Sequence, residues 1–289
     1  MQLEHRVAII TGVGQGIGQA IALAYAKEGA KLALAARTRS ELEETAEQAE
    51  ALGANALVIP TDLCDPARVD EMVRHTVDRY ATVDILVNNA GIHGPVGPLQ
   101  DNDVSDWMRT FQVNVFGVML CCRAVLPVML QQDHGKIINM TGGGVGLVSG
   151  AAYRTAYHAA KAAVIRFTED LPLELAGTNI QVNVMGPGSQ RTRLVEEMWD
   201  GVAASGVAER FEETRQQAFA QAMAKFGISV SVPMERATDL AVFLGSDASA
   251  SLSGRCLDVV DDLLDLPSKI PEIMASDAYT LRRVEPGCS

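Results

Sequence analysis

The sequence predicts an α/β fold: a doubly wound parallel sheet of about seven strands, with helices on both faces. Three observations point to it. Short apolar runs alternate with longer helix-patterned stretches, the rhythm of βαβ units. Several of these runs are apolar throughout, as strands are when both faces of a sheet are covered. Glycines crowd the junction between the first run and the first helix pattern, Thr11-Gly12-Val13-Gly14-Gln15-Gly16-Ile17-Gly18. The strands are expected at Val7–Thr11, Lys31–Ala36, Asn55–Pro60, Ile85–Asn88, Gly135–Met140, Ile180–Met185 and Cys256–Val260. Helices are expected at Ile17–Glu28, Glu41–Leu52, Ala67–Tyr80, Val104–Leu130, Ala156–Leu175 and Ala237–Gly245.

The rhythm breaks once. No strand is predicted between Ser189 and Val232, where Phe211, Phe219, Met223 and Phe226 fall on one side of a helical pattern. A long excursion in a compact domain is often functional, and this one follows a strand end. A helical lid over a pocket is therefore expected there. No repeat, low-complexity tract or linker divides the chain. The expectation is a single domain over residues 1–262, with the lid at 189–232, followed by a tail at 263–289.

Composition narrows the function. The 289 residues are 48% hydrophobic and 21% charged, ordinary for a globular protein with a sizeable core. A formal net charge of −12 argues against a nucleic-acid partner, which needs a basic face. Cys64, Cys121, Cys122, Cys256 and Cys288 show no Cys-x-x-Cys spacing, which implies a reducing compartment and no structural zinc. The apolar run after Met1–Arg6 is too short for a secretory core, and no segment approaches the roughly 18 apolar residues of a membrane span. A cytoplasmic protein is expected. Asp258, Asp261, Asp262 and Asp265 suggest a cation site only superficially, since hard cations need convergent oxygens. They read as a solvated chain end, and no metal is expected.

Chemistry concentrates in Tyr157-His158-Ala159-Ala160-Lys161. On a helix, positions i and i+4 share a face, so an ammonium there can lower the pKa of the phenol. Such a phenol can give a proton to a carbonyl oxygen or take one from an alcohol. At the other end, glycines between a strand and a helix let backbone N–H groups approach a pyrophosphate, aided by the helix dipole.

The spacing Thr-Gly-x-x-x-Gly-x-Gly, with Gly12, Gly16 and Gly18, resembles that of the short-chain dehydrogenase/reductase family in its compact form. Further matches follow in order: Thr61-Asp62-Leu63, Asn88-Asn89-Ala90-Gly91, Val113-Asn114-Val115, the Tyr157/Lys161 pair, and Asn183-Val184-Met185-Gly186-Pro187-Gly188 with Thr192 beyond. The resemblance implies a Rossmann sheet and hydride transfer between a nicotinamide and a carbonyl or secondary alcohol. It implies Tyr157 as acid or base, Lys161 as the cation that tunes it and bonds the nicotinamide ribose, and Asn114 as the holder of a relay water. It places Gly12, Gln15, Gly16, Ile17 and Gly18 at the pyrophosphate, Asp62 and Leu63 at the adenine, and Asn89, Ala90, Gly91, Pro187, Gly188 and Thr192 along the cofactor. A homodimer or homotetramer built on the long helices is also implied.

One position bears on the choice of dinucleotide, and one departs from the family. The second strand ends Leu34-Ala35-Ala36-Arg37-Thr38-Arg39, with no acid for a ribose hydroxyl, so NADP is expected over NAD. Arg37 would meet the 2′-phosphate, with Arg39 assisting. The family's Asn-x-Ser-Ser is replaced by Asn139-Met140-Thr141-Gly142, in a loop about two residues longer. Thr141 is the candidate for the missing hydroxyl, with Ser149 or a backbone N–H of the glycine loop as alternatives. His93 stands in the loop after Asn-Asn-Ala-Gly as a solvated residue or a substrate contact, and His158 reads as a bystander. The altered loop leaves open a second function, a dinucleotide-binding sensor or scaffold with weak or lost catalysis. A lyase or epimerase is disfavoured because the chain lacks the added domain of the extended family type.

Overall fold

The computed structural model describes residues 1–142, 151–188, 190–226, 232–259, 261, 263 and 265–281, with backbone only at 218, 219 and 221–226. Strands β1 (Val7–Thr11), β2 (Lys31–Ala36), β3 (Ala56–Pro60), β4 (Ile85–Asn88), β5 (Gly135–Met140), β6 (Ile180–Gly186) and β7 (Cys256–Asp258) form one sheet. Their order is β3-β2-β1-β4-β5-β6-β7, and the pairing is parallel throughout. The helices are α1 (Gly16–Lys27), α2 (Arg39–Ala51), α3 (Pro66–Tyr80), α4 (Val104–Phe111), α5 (Gly117–Gln132), α6 (Thr155–Glu174), α7 (Arg193–Ser205), α8 (Ala208–Phe226), α9 (Met234–Gly245) and α10 (Leu266–Met274).

Successive strand residues face opposite ways, which splits the core into two layers. Ile10, Leu34, Val87 and Met185 pack with α1, α2, α9 and α10 on one face. Ile9, Ala33, Leu86 and Val184 pack with α3, α5 and α6 on the other. Winding runs from β1 outward to β3, then restarts at β4 on the far side of β1. A crevice therefore opens at the carboxyl ends of β1 and β4, where doubly wound sheets bind ligands.

The structure departs from expectation in three places and adds detail at the excursion after β6. The helix expected over Val104–Leu130 is interrupted by a π-helical turn at Gln112–Phe116, a form of bulge frequent at functional sites. The run Val104–Gln132 does reach the length and apolarity of a membrane span, against the sequence expectation. Its buried residues, among them Val118, Cys121, Val125 and Met129, pack on the sheet. The excursion 189–232 holds α7 and α8; Phe211 is fully buried with Met198 and Val202, while the side chains of Phe219, Met223 and Phe226 lie outside the described residues. Finally, the segment read as a solvated end is packed. Leu266, Ile270 and Ile273 of α10 join the core, and Arg255 Nη2 donates to the carbonyls of Ile273 and Ser276 at 3.2 and 3.0 Å. Asp261 accepts a bond from the Asp258 N–H at 2.7 Å, and burial pushes its carboxyl pKa up. Asp262 and Val260 lie outside the described residues.

Candidate active site

Buried side-chain hydrogen bonds hold the crevice together. Asn88 Nδ2 donates to Asn139 Oδ1 at 2.8 Å, and Asn139 Nδ2 donates to Thr168 Oγ1 at 2.8 Å, which ties α6 to β4 and β5. Asn89 Nδ2 donates to the carbonyls of Thr11 and Gly12 at 2.9 and 3.0 Å, and the Ala90 N–H donates to Thr11 Oγ1 at 3.1 Å. The loop after β4 is thereby fastened to the end of β1.

The glycine turn lines one wall of the cleft. Gly12 has φ +69° and lies so close to Ala90 that a Cβ would stand 2.7 Å from its Cα. At Gly18 a Cβ would collide with the Asn89 amide and the Gly12 carbonyl. These positions admit no side chain, because Ala90 and Asn89 pack directly against them. The N-cap Gln15 makes no side-chain bond to α1, whose first turn has no acid, so its leading N–H groups remain available to an anion.

Gln15, Gly16 and Ile17 continue this wall; Arg37, Asp62 and Leu63 line one end; Asn89, Ala90 and Gly91 line the middle. Thr141, Tyr157, Lys161, Pro187 and Thr192 close the other side. Two predicted residues stand off the wall. Gly188, at φ +68°, packs against Val259 and Val232. Asn114 sits in the π-helical turn with both ends of its amide on Ile92: Oδ1 accepts from the N–H at 2.9 Å and Nδ2 donates to the carbonyl at 2.8 Å. Its side chain thus clamps the loop carrying Gly91. Arg39 also misses the cleft, because it pairs with Glu43 one turn along α2 at 3.5 Å.

Tyr157 is buried and has company the sequence did not announce. The ring of His93 stacks on it at 4.8 Å and 10°, and the guanidinium of Arg154 lies 5.2 Å from its centre. His93 is therefore a buried residue, correcting the solvated alternative. The His158 ring is 6.1 Å away and tilted. Lys161 Nζ, 5.8 Å from the Tyr157 ring centre, donates to the Met140 carbonyl at 2.9 Å. Burial raises the Tyr157 pKa, and the charge that pulls it back is Arg154. The net shift is therefore upward, against the expected lowering, because burial outweighs the charge that opposes it.

Lys161 itself is pushed down to about 8 by burial. Below that pH the folded and unfolded chains both hold the proton, and the folded state bears the full desolvation cost. Between about 8 and 10.5 the folded state releases it first, so this cost fades as pH rises. Lys161→Met is accordingly expected to raise the unfolding free energy at pH 7 by up to about 3 kcal/mol, at about 1.4 kcal/mol per pKa unit. Urea denaturation at pH 7 and pH 10 checks it; a gain that is equal at both, or absent at pH 7, contradicts the assignment. Lys136, lowered to about 8 in the same way, is common to both proteins and cancels.

At the end of β5, Thr141 is buried and its Oγ1 has no hydrogen-bond partner among the described residues. Beside it, a Cβ built on Gly142 would fall onto the Tyr157 hydroxyl, 2.6 Å from Cε1. Ser149 and the rest of the glycine loop from 143 to 150 lie outside the described residues.

Comparison with known proteins gives the family. A family model described as short chain dehydrogenase matches residues 6–203. The chain belongs to the short-chain dehydrogenase/reductase family. It is 31% identical over 260 residues to a 3-oxoacyl-[acyl-carrier-protein] reductase of Thermotoga maritima, covering 90% of this chain and 98% of that one. NAD+-bound xylitol dehydrogenase superposes with a TM-score of 0.76 at 29% identity, covering 89% of this chain and 98% of its own. A variant of actinorhodin polyketide ketoreductase with NADPH gives 0.77 at 28%, covering 90% and 97%. As a member of this family the protein is a nicotinamide-dependent oxidoreductase acting on CH–OH and C=O groups.

Family motifs do not reach several residues at this site. Arg109 and Cys64 join Arg37 and Asp62 at the same end of the cleft, and Arg193 bridges to Glu41 across the glycine turn at 3.5 Å. Arg154 was legible in principle, since it precedes Tyr157 by three residues on one helical face.

Proposed function

We propose that this protein interconverts a carbonyl compound and a secondary alcohol using NADP(H), with Tyr157 as the proton donor in reduction and acceptor in oxidation. The observation that carries the reading is the meeting of Tyr157 and Lys161 in one cleft with the side-chain-free glycine turn. The residues present fit a dinucleotide: Gly12, Gln15, Gly16, Ile17 and Gly18 would hold the pyrophosphate, Asp62 and Leu63 the adenine, and Asn89, Ala90, Gly91, Pro187, Gly188 and Thr192 the remainder. When bound, the nicotinamide would accept or supply the hydride. Lys161 holds its charge beside the phenol and orders the end of β5 through Met140. Thr141 supplies the unsatisfied hydroxyl that orients a substrate oxygen. Asn114 fixes the loop opposite, and α7 with α8 cover the site.

Arg37 and Arg109 face the adenosine end and form no ion pair with an acid among the described residues, which favours a 2′-phosphate there. Adding protein to NADPH and a panel of ketones while following loss of reduced-cofactor absorbance tests the proposal; tight cofactor binding without turnover of any ketone contradicts it and favours a sensor. Arg37→Ala is expected to raise the KM for NADPH about 10- to 100-fold and leave that for NADH within about threefold, the scale of one charge-assisted hydrogen bond. An equal effect on both cofactors would remove the case for NADP. Exposed Val104, Met108 and Phe116 around α4, and Leu173 on α6, favour assembly of copies through these helices.

A further inference from the structure

Arg154 occupies the N-terminal cap of α6, three residues before Tyr157. Its Nε donates to His93 Nε2 at 2.9 Å. Its guanidinium lies 5.2 Å from the Tyr157 ring centre, and His93 stacks on the same ring. Burial weakens its hold on its proton. The partial positive charge of the helix end disfavours a cation here as well. Tyr157 offsets this in part, but no carboxylate among the described residues does. The first turn of α6 contains no acid, and among the described residues no carboxylate lies within 4.0 Å of Arg154.

Shortage of acids is not the reason, because the chain carries 36 acidic residues against 24 basic ones. Elsewhere they are used freely: Arg6, Arg68, Arg166, Arg193, Arg210 and Arg215 each pair with a carboxylate. His93 cannot balance the charge either. Burial and the adjacent guanidinium hold its pKa down to about 3, so it is neutral and accepts from Nε. With Nε anchored, the two Nη groups bond no described residue. The segment leading to Arg154 is tied to the covering helices, since the Ala152 N–H donates to Thr214 Oγ1 of α8 at 3.0 Å. It is tied also to the loop after β4, where the Gly97 N–H donates to the Tyr153 carbonyl at 3.0 Å. The cation therefore stands where that loop, the start of α6 and the covering helices meet, against the phenol.

We propose that Arg154 recognises a carboxylate on the substrate, so that the compounds bound beside Tyr157 are oxo or hydroxy acids whose carboxylate lies close to the reacting carbon. The inference rests on the oxidoreductase reading above and names the substrate class of that same site. A guanidinium edge presents two parallel N–H groups to the two oxygens of a carboxylate. One monoanion balances one arginine, whereas a phosphate dianion would leave a charge over. His93 sets the guanidinium plane by holding Nε, which makes it a positioning residue.

Calorimetric titration of the full chain with NADP+ present, using short α- and γ-oxo acids and their methyl esters, tests this. For at least one chain length the acid is expected to bind about tenfold or more tighter than its ester. That ratio should fall within about threefold in Arg154→Gln and recover in part in Arg154→Lys. The ratio of kcat/KM for acid over ester should move in parallel. If esters and acids are reduced equally well and Arg154→Gln leaves the ratio unmoved, the carboxylate assignment is overturned while the oxidoreductase reading stands. If acids bind in an Arg154-dependent way yet nothing is reduced, the oxidoreductase reading fails and the anion site stands. Should Arg154→Gln not fold, a wild-type acid-to-ester ratio at or below one overturns the proposal by itself.

Discussion

Tyr157→Phe is expected to lower kcat for ketone reduction by about 10²- to 10⁴-fold, the usual contribution of a placed general acid. The substitution keeps the ring that stacks on His93 and lies under Arg154, and it removes only the hydroxyl that faces Gly142. Packing and cofactor affinity should therefore persist, with the Kd for NADPH within about threefold of the parent, a shift under 1 kcal/mol. A stopped-flow trace of reduced-cofactor absorbance with saturating ketone measures the loss; a variant retaining more than about a tenth of parental kcat would remove Tyr157 from the chemistry. The pH profile carries a second signature. Burial raises the phenol pKa, so the protonated acid persists well above neutrality. Reduction should decline only as pH rises through that raised value, and oxidation should improve over the same range. Arg154, which pulls the phenol down, sets where the change falls, and Arg154→Gln should move both limbs to higher pH.

Both ends of the cleft were legible because their chemistry leaves a fixed spacing in the chain. Glycines at 12, 16 and 18 must stand where β1 turns into α1, since a side chain at 12 or 18 would strike Ala90 or Asn89. Tyr157 and Lys161 share a helical face whatever surrounds them. What the sequence hid depends on long-range approach. His93 and Arg154 are 61 residues apart, and their bond exists only because the loop after β4 folds over the start of α6. The sign of the Tyr157 shift was hidden for a related reason: i,i+4 spacing brings Lys161 near the phenol but cannot say how deeply the phenol is buried, and burial decides the direction. The π-helical turn likewise arises in an apolar stretch whose periodicity differs little from that of a plain helix. The packed chain end escaped notice because Asp261 and Asp265 suggested solvent, while Leu266, Ile270 and Ile273 carry the burial.

Thr141→Val should separate stability from activity in opposite directions. The Thr141 hydroxyl is buried without a partner among the described residues, so an apolar group of the same shape removes an unsatisfied donor and is expected to stabilise the fold by about 1 kcal/mol. If that hydroxyl orients the substrate oxygen, kcat/KM should nevertheless drop about 10²- to 10³-fold, as when one preorganised donor is lost. A thermal melt and a steady-state assay on the same preparation decide the matter. Full activity in Thr141→Val would move the role to another group, such as a backbone N–H of the following loop. The companion change, Gly142→Ser, brings the segment nearer to the family's double serine, yet it is expected to harm rather than help. Its Cβ would fall onto the Tyr157 hydroxyl, and the ring cannot retreat without disturbing its stack on His93. A fall in kcat of about tenfold or more is expected, the scale of a misplaced reacting group. A rise in kcat instead would mean that Tyr157 yields easily and that glycine at 142 is no requirement of this site.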